Sequence, residues 1–228
     1  MRQTATSESI LDPTLYADYA GQWLNKISEQ DNPDLTSYFN DGSGNRVTYA
    51  EFSIQRIIEL VSAVGVRQIK ARFVLLPGQG DDQLLFSLVL FATDADDRQL
   101  SAYYLPDSTA ATSSLPAERV PGGLAGLWEE YWKTEATLTT AMFKTSYGPL
   151  EGYNFDIKDF LAPLFTGTTS YTNQQVRLKL GLHQYIAADT TTLTQTFGLV
   201  VRRFDGDQQV QGAAADDYDM STPCPPTH

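Results

Sequence analysis

The segment Pro223-Cys224-Pro225-Pro226-Thr227-His228 holds the chain's only cysteine and one of its two histidines, four residues apart. Cysteine and histidine are both zinc-ligating side-chain types. A structural zinc takes four such ligands, so two chains would have to pool Cys224 and His228 to complete a Cys2His2 set. No cofactor other than this zinc is implied. Without a metal, the prolines would hold the segment extended as a solvated tail.

A second constellation is cationic. Lys70 and Arg72 alternate along one strand-like segment, and Arg177 and Lys179 along another. The four offer a basic stripe to an anionic ligand, or to the chain's own acidic run Asp216-Asp217-Tyr218-Asp219. As plain structure they would lay long apolar stems over a sheet face. Asp94, Asp96 and Asp97, with Asp205 and Asp207, follow strands in both halves. Calcium wants more oxygens at set spacing than either run supplies, and acidic residues are ordinary in hairpin turns. His183 lies on a strand with no local catalytic signature that would make it a general base. Neither a phosphate-cradling Gly-x-x-x-x-Gly-Lys loop nor a dinucleotide fingerprint occurs.

The elements that would position these residues come in pairs. Ile54, Ile57, Ile58 and Val61 fall at i, i+3, i+4 and i+7, one face of a helix, and Ile157, Phe160, Leu161 and Leu164 repeat the spacing 103 positions later. Gln68 to Phe73 and Gln175 to Leu180 alternate polar and apolar residues at an offset of 107, as half-buried strands do. Phe86 to Leu90 and Phe197 to Val201, 111 apart, are nearly continuous in apolar residues and read as central strands. Third strands are expected over Gln99 to Leu105 and Gln208 to Gly212. Upstream, Asp12-Pro13 caps a helix carrying Tyr16, Tyr19, Trp23 and Ile27, and Trp23 matches Trp132 at an offset of 109. Thr48 with Glu51 reads as a capping box for the Ile54 helix. A helix from about Gly123 to Phe143 puts Leu124, Leu127, Trp128 and Tyr131 on its inner face.

The expected fold is therefore α+β, two degenerate tandem copies of helix-helix-strand-strand-strand with mostly antiparallel sheet covered by helices. Residues 1–10 form a flexible N-terminus, 11–105 the first copy, 106–122 a connector, 123–212 the second copy and 213–228 an acidic Cys-Pro-Pro tail. The two copies either form one pseudo-symmetric domain or pack as separate units.

A net charge of −12 and a pI near 4.4 argue against phosphate backbones and anionic membranes as partners, because both draw their affinity from clustered Lys and Arg. The N-terminus shows no apolar h-region, and no later stretch approaches the ~20 apolar residues of a membrane span. Cytoplasmic localisation is expected, in keeping with a single cysteine.

The amphipathic helix, the strand Val66 to Leu76, the buried strand ending at Asp94 and the terminal Cys-Pro-Pro together resemble a family of small uncharacterised bacterial proteins, many of which end in Cys-Pro-Pro-x-Cys. The likeness covers roughly 47–97 and the last six residues. His228 stands where that family has its final cysteine, which keeps a metal ligand and forbids a disulfide. The resemblance implies no activity. The leading expectation is a non-enzymatic module that binds a protein partner or itself through sheet edges or through helices bearing Trp23, Trp128 and Trp132. The alternatives are a metal- or thiol-dependent protein using Cys224 and His228, and a hydrolase or transferase with dispersed site residues.

Overall fold

A computed structural model describes residues 10–29, 31, 33–78, 83–110, 124–158, 160–161, 174–186, 193–206, 208–209 and 221–224. In chain order the elements are β1 (Ile10–Leu11), α1 (Pro13–Ile27), a 3-10 turn (Thr36–Phe39), β2 (Tyr49–Ser53), α2 (Ile54–Val61), β3 (Gln68–Pro77), β4 (Leu84–Thr93), β5 (Tyr103–Tyr104) and β6 (Ser108–Ala110). Then come α3 (Leu124–Thr134), a second 3-10 turn (Thr140–Phe143), β7 (Lys144–Thr145), β8 (Gly148–Pro149), β9 (Gly152–Asp156), β10 (Gln174–Ile186), β11 (Leu193–Asp205), β12 (Gln208–Gln209) and β13 (Ser221–Cys224). The protein is α+β, and every described strand pair is antiparallel.

Two sheets face each other across the main core. The first runs β1-β5-β4-β3-β9-β13 and the second β12-β11-β10-β2-β6. Ile69, Ala71, Phe73 and Leu75 of β3 and Phe86, Leu88 and Leu90 of β4 meet Val176, Leu178, Leu180 and Leu182 of β10 and Phe197, Leu199 and Val201 of β11. The alternation read from the sequence is the cause: odd positions of β3 enter the core, leaving Lys70 and Arg72 on the outer face.

Each sheet takes a strand from the other half of the chain. β2 pairs with β10, Ser53 opposite Gln175 through Tyr49 opposite Lys179. β9 pairs with β3, Asp156 opposite Gln68 through Gly152 opposite Arg72. Shifting β2 by 103 and β3 by 107 turns one register into the other. The outer strands obey the same rule, for β6 sits on β2 as β13 sits on β9, with Ala110 opposite Tyr49 and Cys224 opposite Gly152. Gly152 is required there, since its φ is +152° and an added Cβ would collide with the Ala71 carbonyl oxygen.

Several boundaries differ from the sequence reading. Thr48 does not cap a helix: Tyr49–Ser53 is a strand, and Ser53 caps α2 by accepting from Arg56 N–H at 3.4 Å. The single helix expected to Phe143 stops at Thr134, and Leu127 points outward, because Ala125, Glu129 and Trp132 form the buried stripe. The third strand of the first half shrinks to Tyr103–Tyr104. Ser108–Ala110, expected in the connector, and Ser221–Cys224, expected in the tail, are sheet strands. Asp12 does cap α1, accepting from Thr14 N–H at 2.8 Å.

Candidate functional site

The four cations of the expected stripe lie on the outer faces of two different sheets. On the first, Lys70 pairs with Asp97 at 2.5 Å. Arg72 is 7% exposed, donates to Asn154 Oδ1 at 2.8 Å and to the Tyr153 carbonyl, and lies over the Phe91 ring. On the second, Arg177 pairs with Glu51 at 2.7 Å and sits between the rings of Tyr49 and Phe204. Lys179 donates to Glu129 Oε2 at 2.5 Å, and Arg202 approaches Glu129 Oε1 at 2.8 Å. Burial holds the Lys179 ammonium below its ordinary pKa, against the opposing pull of Glu129. The chain's positive charge on these faces is engaged within the fold.

Asp94 receives Asp96 and Arg98 N–H on Oδ1, both at 2.9 Å, which is hairpin-turn chemistry. Asp207, His228 and the acidic run 216–219 lie outside the described residues. Cys224 is placed by its backbone on the edge strand β13, facing Gly152. Among the described residues no three His, Cys, Asp or Glu side chains converge to hold a metal, and no helix is long and apolar enough to cross a membrane.

Trp23 and Trp132 are both fully enclosed, so neither offers surface to a partner in this fold. Their indole N–H groups make crossed bonds: Trp23 Nε1 donates to the Leu150 carbonyl at 2.9 Å, and Trp132 Nε1 to the Val47 carbonyl at 2.8 Å. Two ring contacts of each match as well, although Trp23 also meets Phe73 and Arg46 lies over Trp132. Trp23 meets Phe143 at 5.1 Å and Phe86 at 5.3 Å; Trp132 meets Phe39 at 5.0 Å and Phe197 at 5.2 Å.

Trp128 is different, being half-buried on the outer face of the second sheet. Its indole stacks on the His183 imidazole with ring centres 3.4 Å apart. Two glycines floor the stack and face each other across the β10–β11 ladder, Gly181 opposite Gly198. A Cβ on Gly181 would come within 3.0 Å of the Trp128 Cβ, and one on Gly198 would strike the His183 ring. Beside the stack, α3 sets Glu129 between Lys179 and Arg202. Beyond it, the hairpin runs out to Tyr185, 49% exposed, while α3 turns Leu127 outward at 51%.

This layer joins an indole-imidazole stack, a buried ion triad and exposed apolar residues. His183 and Lys179 are four strand residues apart, roughly 13 Å, too far to act on one atom. Such a layer is suited to recognition. Sequence reasoning named Trp128, Lys179 and His183 separately and missed Glu129, Arg202, Gly181 and Gly198. The two glycines inside otherwise apolar strands were the available signal.

No family model, curated protein or solved structure matches the chain.

Proposed function

We propose that this protein is a non-enzymatic protein-interaction module built from two degenerate tandem copies that trade a strand, and that it meets its partner with the outer layer of its second sheet. The tandem reading is supported by offsets of 103, 107 and 111 in the sequence, which reproduce the strand registers when applied to one half. The crossed indole hydrogen bonds support it too, because the same 103 separates Val47 from Leu150.

The partner face rests on one observation. Around the half-buried Trp128, the second half presents Leu127 and Tyr185 to solvent. Exposed aromatic and aliphatic side chains beside an anchored indole have the composition of an interaction patch. The hairpin pairs Tyr185–Thr194 and Ile186–Leu193 extend past the point matching Pro77–Leu84, where the first hairpin ends.

The test is affinity enrichment from native lysate with the wild-type chain and with Leu127→Asp/Tyr185→Asp side by side. The proposal expects a species bound by the wild type and lost by the double variant. Equal recovery on both baits, or no enrichment together with a monomeric mass at high concentration, contradicts it.

A further inference from the structure

The surface that joins the two halves has the character of a core. β2 and β9 are each hydrogen-bonded into the opposite half's sheet. Trp23 reaches Leu150 and Trp132 reaches Val47. Arg46 donates to the carbonyls of Trp132 and Glu135 at 3.1 Å each, closing the C-terminal end of α3 from the other half. Glu51 of the first half pairs with Arg177 of the second. Neither half keeps its sheet intact without the other, and the sequence joins them only through residues 111–123.

We propose that two copies of this chain can trade halves, with residues 10–110 of one packed against 124–224 of the other. The contacts are those the single chain makes with itself, so exchange changes connectivity and leaves the interface unaltered. A second copy is the partner, because the registers of β2 on β10 and β9 on β3 and the two indole bonds specify this sequence on both sides. The tether selects between the forms. A covalent tether of this length gives each half its own partner at an effective concentration on the order of millimolar, so the closed monomer prevails in dilute solution. A tether too short to span the two halves hands the same contacts to another molecule. The inference rests on the strand pairings and stands independently of the outer layer of the second sheet.

The experiment removes residues 113–121 from the otherwise complete chain and measures mass by light scattering together with near-ultraviolet circular dichroism. Exchange predicts twice the mass of the shortened chain with the native aromatic signal. A natively folded monomer overturns it. A second experiment covers the case in which the shortened chain does not fold. Full-length Trp23→Ala and Trp132→Ala are denatured and refolded together. Traded halves assemble one undamaged set, so the mixture forms a heterodimer carrying about half the native aromatic signal per chain, with one set of two intact. No gain over the separately refolded variants overturns the proposal.

Discussion

The outer layers of the two sheets use one geometry for two chemistries. Over the first, α1 lays Tyr16, Tyr19 and Ala20 against Val74, Leu76, Val89 and Phe91, and Tyr16 stacks on Tyr103 at 4.0 Å. Over the second, α3 lays Trp128 and Glu129 against Gly181, His183, Lys179 and Arg202. By the offset of 109 between Trp23 and Trp132 and the offsets of 107 and 111 between the strands, Tyr19 and Leu76 correspond to Trp128 and His183, Val74 and Ser87 to Gly181 and Gly198, and Ala20 and Phe91 to Glu129 and Arg202. In the enclosed core, by contrast, Trp23, Phe52 and Phe86 have aromatic counterparts in Trp132, Phe155 and Phe197. The first layer is mainly apolar but keeps a buried cation too, with Arg72 over Phe91 at the position that matches Lys179.

The largest expected break in the comparison comes from Glu129→Gln. Removing the carboxylate leaves Lys179 and Arg202 buried without their shared anion, and breaking a buried pair in this way costs about 3–5 kcal/mol. Denaturant unfolding measures it. Combining Glu129→Ala with Lys179→Met and Arg202→Phe replaces all three charges by apolar side chains and is expected to recover most of that loss.

Gly198→Val comes next. The added atoms occupy the place of the His183 ring, and overpacking of this kind costs about 1–3 kcal/mol. Displacing the imidazole from Trp128 also changes the indole fluorescence. The corresponding Ser87→Val in the first half, where no ring stacks overhead, is expected to leave the emission of Trp128 unchanged.

The core sharpens the comparison from the other side. Trp23→Phe and Trp132→Phe each strand one buried carbonyl, Leu150 or Val47, at a cost of about 1–3 kcal/mol. Matching environments predict closely similar losses in thermal or denaturant unfolding. Widely different losses would show that the two halves share less than their registers imply.

The smallest effect concerns pH. Because burial depresses the Lys179 pKa below its ordinary 10.5, the folded chain holds that proton less tightly than the unfolded chain does. The charged ammonium is a cost to folding, and the cost is relieved as pH rises from the depressed value through 10.5. Wild-type stability measured relative to Lys179→Met should therefore increase across that interval. A flat difference would mean that Glu129 cancels the effect of burial.

Much of the fold was legible because burial imposes periods. The alternation of Gln68 to Phe73 and Gln175 to Leu180, and the apolar runs of Phe86 to Leu90 and Phe197 to Val201, are consequences of facing one core. The strand exchange was not legible. Tyr49–Ser53 and Gly152–Asp156 are five residues each, their partners lie more than a hundred and about eighty positions away, and period alone names no partner. Thr48 with Glu51 imitated a helix start that the pairing with β10 overrides. Within the candidate site, Trp128 announced itself as an aromatic on a helix. Its setting depends on the Gly181–Gly198 pair, which only the β10–β11 register brings together. Trp23 and Trp132 carried the same signal and belong to the core.

The most direct test of the account is a transplant. Leu127→Asp, Gly181→Val, Gly198→Ser and Trp128→Tyr give the second layer the residue types of the first at these positions, and the resulting chain serves as affinity bait beside the wild type. The account predicts a folded variant, shown by native circular dichroism, that no longer retains the wild-type partner. A folded variant that retains the same partner would contradict it, because recognition would then lie elsewhere on the molecule.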